Sequence, residues 1–331
     1  MIAMPHNKLN DPLIEIQKIL KREARSFYLS LSIFPGDIRK KIFLAFLLCK
    51  IADTLVDSGL FNGDEKKKIL LDFAFVLGSI EEIDPFLEKV ASRGGFEKEK
   101  ELLFALKPTL TLLSGCSQEE RVAVLEQVRH VSIGMQMDLF VFDRPVNASG
   151  FPVAYGKELD EYCFQVAGSA GAFMTRIFID AGYFSHTPDI MVPLGIDLGK
   201  GLQLVNILRD RIEDSRRGRF YLEEGATLSD LTPVIRQALF FLEEGLKYVT
   251  YIPRRSWRIR LASLWPVLFG LKTIQRFLER HSGDEKNKVK LSRGEVYRTI
   301  LLSLLIVWSN GAVTRYAHGI RNRVLKNPVL R

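Results

Sequence analysis

Two acidic pairs with the same spacing stand out in this sequence. The first is Asp53 and Asp57, in Asp53-Thr-Leu-Val-Asp57, inside an otherwise apolar stretch that includes Phe43-Leu-Ala-Phe-Leu-Leu-Cys. The second is Asp210 and Asp214, at the end of Gly201-Leu-Gln-Leu-Val-Asn-Ile-Leu-Arg-Asp-Arg-Ile-Glu-Asp214. On a helix, positions i and i+4 share one face, a turn apart, and two carboxylates there repel each other. A divalent cation removes that repulsion. Magnesium takes hard oxygen ligands and commonly uses one or two carboxylates together with substrate phosphates. For the first pair, solvated acids near a helix end are the competing reading. Around the second pair, Asn206 and Gln203 extend the acids into one polar stripe, while Leu204, Ile207 and Leu208 fall off it and can pack. Such a stripe lines a cavity or forms a solvated face. Two facing acidic helices of this kind could hold magnesium ions against a diphosphate.

A diphosphate held by metal is a good leaving group, because the charge that develops as the C–O bond breaks is neutralised. The allylic carbocation left behind must be kept from water, which calls for a deep apolar and aromatic cavity. The 22 Phe and many Leu could line one, although most must serve the core.

The elements that would position these residues read as helices nearly throughout. Apolar residues recur at three and four positions, and no sustained alternation is present. Asn10-Asp11-Pro12 starts a helix that runs through Leu13, Ile16 and Leu20. Pro35-Gly36-Asp37 breaks the chain, with Asp37 as a cap for a helix that reaches Val56 and stops near Ser58-Gly59. Asn62-Gly63-Asp64 opens the next. Further helices are expected over 83–92, 97–114, 117–140, 157–182, 190–214, 228–250, 258–281 and 293–324. Phe142 to Gly156 and Ser215 to Thr227 read as loops. With no repeat or low-complexity tract, a single all-α domain over 1–331 is expected.

The chain has 331 residues, 47% of them hydrophobic, and a net charge of +8. That is enough apolar material for a large core. The basic balance suits an anionic partner. With no zinc-finger spacing, no RNA-binding aromatic signature and no long Lys/Arg block, nucleic acid is not the expected one. Cys49, Cys116 and Cys163 are far apart and odd in number, which argues against a disulfide framework and for a reducing cytosol. The N-terminus lacks the apolar core of a signal peptide. The run from Ile300 to Trp308 is too short to span a bilayer, which needs ~20 residues. Followed by Arg315, Arg321, Arg323, Lys326 and Arg331, it either docks on anionic lipid or packs as a last helix with a solvated basic tail. A cytoplasmic protein, peripheral at most at the inner membrane face, is expected.

Several blocks in one order resemble the squalene/phytoene synthase family, from about Arg25 to about Tyr297. They are Arg25-Ser26-Phe27, Lys50-Ile-Ala-Asp53-Thr-Leu-Val-Asp57, Gly134-Met-Gln-Met-Asp138, and Tyr162-Cys-Phe-Gln-Val-Ala-Gly168-Ser-Ala-Gly171. Asn206-Ile-Leu-Arg209-Asp210-Arg-Ile-Glu-Asp214 follows, with the basic tail Arg216-Arg217-Gly218-Arg219-Phe-Tyr221. The resemblance implies a single-domain, all-α prenyl synthase fold around a central cavity. It implies Mg²⁺ held by Asp53, Asp57, Asp210 and Asp214, with Asn206 and Gln203 assisting. Tyr162 would sit by the reacting carbons as proton acceptor or cation stabiliser. Arg25, Ser26, Phe27, Lys50, Arg209 and Arg219 would meet substrate, and Gly168 and Gly171 would allow close approach of helices or substrate.

The implied reaction joins two farnesyl diphosphates head to head into a cyclopropyl diphosphate, presqualene diphosphate. Squalene synthases then reduce it with NADPH, as part of sterol or hopanoid biosynthesis, whereas phytoene and dehydrosqualene synthases lose a proton. The blocks around LLCKIADTLVDS, VAGSAGAFMTRIF and Val289-Lys290-Leu-Ser292-Arg293-Gly294 look closer to squalene-type members, and RRGRFYL closer to phytoene synthases. An enzyme that stops at presqualene diphosphate is a further alternative. Lys50 stands where the family usually has arginine, which loses the bidentate fork. Thr54 and Ser58 stand where many members carry a third acid. A diphosphate-binding subunit without catalysis is the other class of function; the presence of all four aspartates argues against it. A monomer or weak dimer is expected.

Overall fold

The computed structural model describes residues 12–24, 27–57, 61–94, 100–142, 156–184, 186–223, 225–280 and 289–330. Fifteen α-helices occur among them, and no strand. The chain clusters into two compact units, 1–29 with 40–129, and 30–39 with 130–331.

The first unit holds α1 (Pro12–Ala24), the greater part of α3 (Gly36–Asp57), α4 (Gly63–Val76), α5 (Ile83–Ala91), α6 (Lys100–Phe104), α7 (Leu106–Ser114) and the start of α8 (Gln118–Phe140). The short α2 (Phe27–Ile33) precedes α3. The Asn62 start is borne out with a full capping box: its side chain accepts from the Glu65 backbone, and the Glu65 carboxylate accepts from the Asn62 N–H. The helix expected over 97–114 is two helices that meet at Ala105. Pro108 explains the second start, since proline has no N–H to give and suits a first turn. Asp37 sits in the first turn of α3; its side chain is outside the described residues.

In the second unit the expected 157–182 helix is α9 (Lys157–Cys163), a π-turn (Phe164–Gly168) and α10 (Ser169–Asp180). α11 (Pro188–Arg216), α12 (Thr232–Tyr251) and α13 (Trp257–Arg280) follow. The expected 293–324 helix is α14 (Arg293–Ile306) and α15 (Asn310–Leu325), with Ser309 capping α15 through the Ala312 N–H. α11 packs against α9, the π-turn, α10, α12 and α13. It is also the one described helix long and apolar enough to cross a bilayer. Here that length runs through packed neighbours.

The contact of α11 with α10 and the π-turn is backbone on backbone. A Cβ at Gly171 would lie 1.9 Å from the Gly195 carbonyl oxygen, and one at Gly199 would lie 2.2 Å from that of Ala167. On the other side of α11, a Cβ at Gly201 would meet Phe241 at 2.9 Å. The sequence left open whether Gly171 admits a helix or a substrate; it admits a helix.

Arg260 on α13 is fully buried. Its Nη1 donates to the Val249 and Ile252 carbonyls at 3.1 and 2.7 Å and its Nε to Val307 at 2.7 Å, while Nη2 bonds Asn310. No carboxylate pairs with it among the described residues. The carbonyls at the C-terminal ends of α12 and α14 carry the compensating partial negative charge.

Candidate active site

Leu204, Val205, Ile207 and Leu208 of α11 are buried, and Gln203, Asn206, Asp210 and Asp214 are half-buried along one stripe. The apolar side thus fixes the helix, and the polar stripe is left at the edge of the core. Arg209 bonds Asp210, with Nε at 3.0 Å from Oδ2. After Asp214 the helix ends in a Schellman motif: the Gly218 N–H donates to Ser215 at 3.0 Å and the Arg219 N–H to Asp214 at 2.8 Å. Gly218 has φ of +75°, a conformation costly to other residues. The turn brings Arg219 back beside Asp214, and the Phe220 N–H then donates to Phe142 at 2.8 Å.

Burial, with the neighbouring charges of Asp210 and Asp138, pushes the Asp214 carboxyl up to about 6, against the opposing pull of Arg219 and Arg217. An acid raised in the folded state stabilises the fold while it is protonated. That contribution is complete below its ordinary value of 3.8 and is lost as pH rises through about 6. The thermal midpoint of the metal-free protein should therefore fall between about pH 5 and pH 7 by more than that of Asp214→Asn. Scanning fluorimetry of the two proteins checks this; parallel curves would refute it.

Tyr162 of α9 is buried, and its hydroxyl lies 2.9 Å from that of Tyr221. Tyr221 donates to Asp138 Oδ1 at 2.6 Å, and Tyr162 reaches Oδ2 at 3.4 Å. The two rings stack at 4.9 Å, and Phe142 closes the cluster with centroids 5.2 and 5.0 Å away. Burial, then the Asp138 charge, raises both phenols, so both stay protonated at neutral pH. Asp138 thus holds the two tyrosines by hydrogen bonds, and its charge also acts on Asp214. Sequence reasoning quoted Asp138 and Tyr221 within larger blocks and did not single them out. One signal was available: Asp138 lies in the last turn of α8, where the helix dipole disfavours an acid.

The π-turn begins at Phe164, two residues after Tyr162. Gln165 is buried in it, its Nε2 donating to Glu161 at 2.6 Å and its Oε1 lying 2.7 Å from His130 Nδ1. These bonds tie α9 to α8 beside the cluster.

In the first unit, Lys50 Nζ lies 2.5 Å from Asp53 Oδ2, and Asp57 is exposed at the end of α3. Burial opposes the charge on Lys50, but Asp53, Asp57 and Glu23 outweigh it and raise the pKa. Burial and Asp53 push the Cys49 thiol up to about 12, so it stays protonated. Thr54, one of the two departures in this motif, is buried. Arg25, Ser26, Ser58 and the Phe27 side chain lie outside the described residues. The structure thus brings Lys50, Asp53 and Asp57 together on α3, and, within the second unit, Arg209, Asp210, Asp214 and Arg219 at the end of α11, while Tyr162 meets Tyr221 and Asp138.

A family model for squalene/phytoene synthase matches residues 20–224, more than half of the chain. The chain belongs to the squalene/phytoene synthase family. It is 27% identical over 305 residues to phytoene synthase 1, chloroplastic, of Zea mays, covering 86% of this chain and 65% of that one. It is 27% identical to squalene synthase of Mus musculus, covering 65% of this chain and 48% of that one. It is 28% identical to presqualene diphosphate synthase of Zymomonas mobilis, covering 60% and 56%. The chain thus spans about half to two thirds of the length of these relatives. Among solved structures, TcSQS with the ligand BPH1237 superposes with a TM-score of 0.75 at 18% identity, covering 95% of this chain and 92% of that one. A dehydrosqualene synthase superposes at 0.59 and 20%, covering 93% and 100%. The fold is the all-α isoprenoid synthase fold.

Members of this family generally use a divalent metal. Among the described residues no three acidic, His or Cys side chains converge on one point. What the chain offers is carboxylates in pairs, the donor set for a magnesium shared with substrate phosphate rather than caged by protein. Burial first and the charge of Asp210 second raise the Asp214 pKa, and a bound cation would offset both by favouring the charged carboxylate.

Proposed function

We propose that this chain condenses two farnesyl diphosphates head to head to presqualene diphosphate and carries it on to squalene with NADPH. The observation that carries the first half is the pair Asp210 and Asp214 on one half-buried polar stripe of α11, in a unit that also holds the hydrogen-bonded Tyr162, Tyr221 and Asp138. Asp53 and Asp57 on α3, and Asn206, Asp210 and Asp214 on α11 with Gln203 assisting, are the residues that would hold Mg²⁺. Mg²⁺, when bound, supplies charge neutralisation as the C–O bond of the allylic diphosphate breaks. Lys50, Arg209 and Arg219, together with Arg25, Ser26 and Phe27, bind and orient the diphosphates. Tyr162 faces the cation as a neutral phenol. Its oxygen dipole and the faces of the Phe142, Tyr162 and Tyr221 rings stabilise positive charge and exclude water.

The squalene-type blocks in the sequence support the reductive second half. No strand–turn–helix dinucleotide cradle occurs among the described residues.

Proton loss without NADPH, which would give dehydrosqualene or phytoene, has its own support. Tyr162 can accept a proton while its own passes to Asp138, directly or through Tyr221. Incubation with farnesyl diphosphate and Mg²⁺, with and without NADPH, followed by mass spectrometry, separates the branches. The expected result is squalene with NADPH only, and no product after chelation of the metal. Dehydrosqualene in both tubes would establish the proton-loss branch. Presqualene diphosphate in both would mean that the reaction stops halfway. No product from farnesyl or geranylgeranyl diphosphate would overturn the enzymatic reading.

A further inference from the structure

α14 turns an apolar face to solvent. Tyr297, Leu301, Leu304, Leu305 and Trp308 recur at helical spacing and are 63, 64, 40, 77 and 49% exposed. Trp257, at the start of α13, meets Trp308 with ring centroids 6.0 Å apart and extends the face. A soluble surface seldom gathers this many large apolar side chains on one stripe without a partner. The face also has aromatic ends, with Tyr297 near one and both tryptophans at the other. Tyrosine and tryptophan are the residues that favour a membrane–water interface.

The charges around it fit the same surface. Exposed Arg293 and Arg298 flank the stripe at the start of α14, and exposed Arg254 and Arg255 precede Trp257. Arg298 also lines a cavity of 280 Å³ between α13, α14 and α15, with Lys272, Arg276, Arg323, Glu279 and Glu295. Four cations face two acids there. Arg276 is taken up by Glu279 and Glu295, and Lys272 donates to Thr299 at 2.7 Å. Arg298 and Arg323 make no ion pair among the described residues. A cationic cavity beside an exposed apolar face is complementary to a lipid whose phosphate is anionic and whose tails are apolar. α15 itself is not the apolar element: Val313, Ala317, Ile320 and Val324 are buried in the core.

We propose that the exposed face of α14 docks on an anionic phospholipid bilayer, with a lipid headgroup phosphate seated in the cavity lined by Lys272, Arg298 and Arg323. α14 lies in the plane of the interface, with the leucines in the acyl boundary and the arginines at the level of the phosphates. This surface falls outside residues 20–224, which match the family, and it does not depend on the reaction proposed above.

Flotation of the full chain with phosphatidylcholine vesicles, with and without phosphatidylglycerol, tests it without turnover. Binding should be about 10-fold or more tighter with the anionic lipid and should weaken with salt. The double variant Leu301→Asn/Leu305→Asn should lose vesicle binding by on the order of 10-fold or more and keep its helical circular dichroism. Arg298→Glu should weaken binding to the anionic vesicles by about 5-fold or more and leave binding to neutral ones unchanged. Failure of the wild type to float with either vesicle would overturn the proposal, as would equal flotation of the leucine variant. Sedimentation showing a wild-type dimer that the leucine substitutions dissociate, with no flotation, would overturn it in favour of a second copy on this face.

Discussion

Asp210→Asn should lower kcat by about 10³-fold while leaving the helical content unchanged. Asparagine keeps the size of the side chain and one oxygen but removes the charge. The loss should therefore fall on charge neutralisation in the transition state, and KM for farnesyl diphosphate should move far less. Asp214→Asn should cost as much, and in addition flatten the pH dependence of stability, because its carboxyl is the one raised to about 6. Turnover at saturating substrate and Mg²⁺ is the measurement. Activity within 10-fold of wild type for Asp210→Asn would remove the second acidic pair from the chemistry.

Arg260→Leu should be the most destabilising single change in the second unit. It leaves the carbonyls of Ile252 and Val307 buried without their donor, at about 1–3 kcal/mol each, and Val249 with only the Ile252 N–H at 3.3 Å. A loss of about 4 kcal/mol or more is a large share of the 5–15 kcal/mol typical of a folded chain. Poor soluble recovery, and a urea midpoint well below that of wild type, are expected. A midpoint within error of wild type would show that water replaces the guanidinium. Arg260→Lys should be intermediate, because an ammonium keeps the charge but cannot reach two helix ends with a planar fork.

Much of this arrangement was legible in the sequence, and the parts that were not have physical reasons. The 3.6-residue periodicity gave the all-helical class, and the spacing of Gln203, Asn206, Asp210 and Asp214 gave the polar stripe of α11, since both are local properties. The break between α14 and α15 was missed because the apolar run from Ile300 to Trp308 reads as continuous. What interrupts it is Arg260, nearly fifty residues earlier in the chain, which takes the Val307 carbonyl. The Ser309 cap was a local sign of the same break. The π-turn after Cys163 leaves the hydrophobic pattern intact and so has no signature in it. Tyr221 was passed over because its role depends on Asp138, 83 positions away, and a hydrogen bond between distant residues has no sequence periodicity.

The seam of Gly171 on Gly195 and Ala167 on Gly199 also limits how this chain can change in length. Inserting or deleting one residue in α10, or in α11 before Gly201, would turn everything beyond it by about 100°. A side chain would then enter a space that holds only backbone, and the acidic stripe would swing off its face by the same angle. Tolerated insertions should fall between helices rather than within α10 or α11, such as at the exposed turn of Ala181 and Gly182 that follows α10. The tight seam thus acts as a ruler that keeps the spacing between Tyr162 and Asp214 constant.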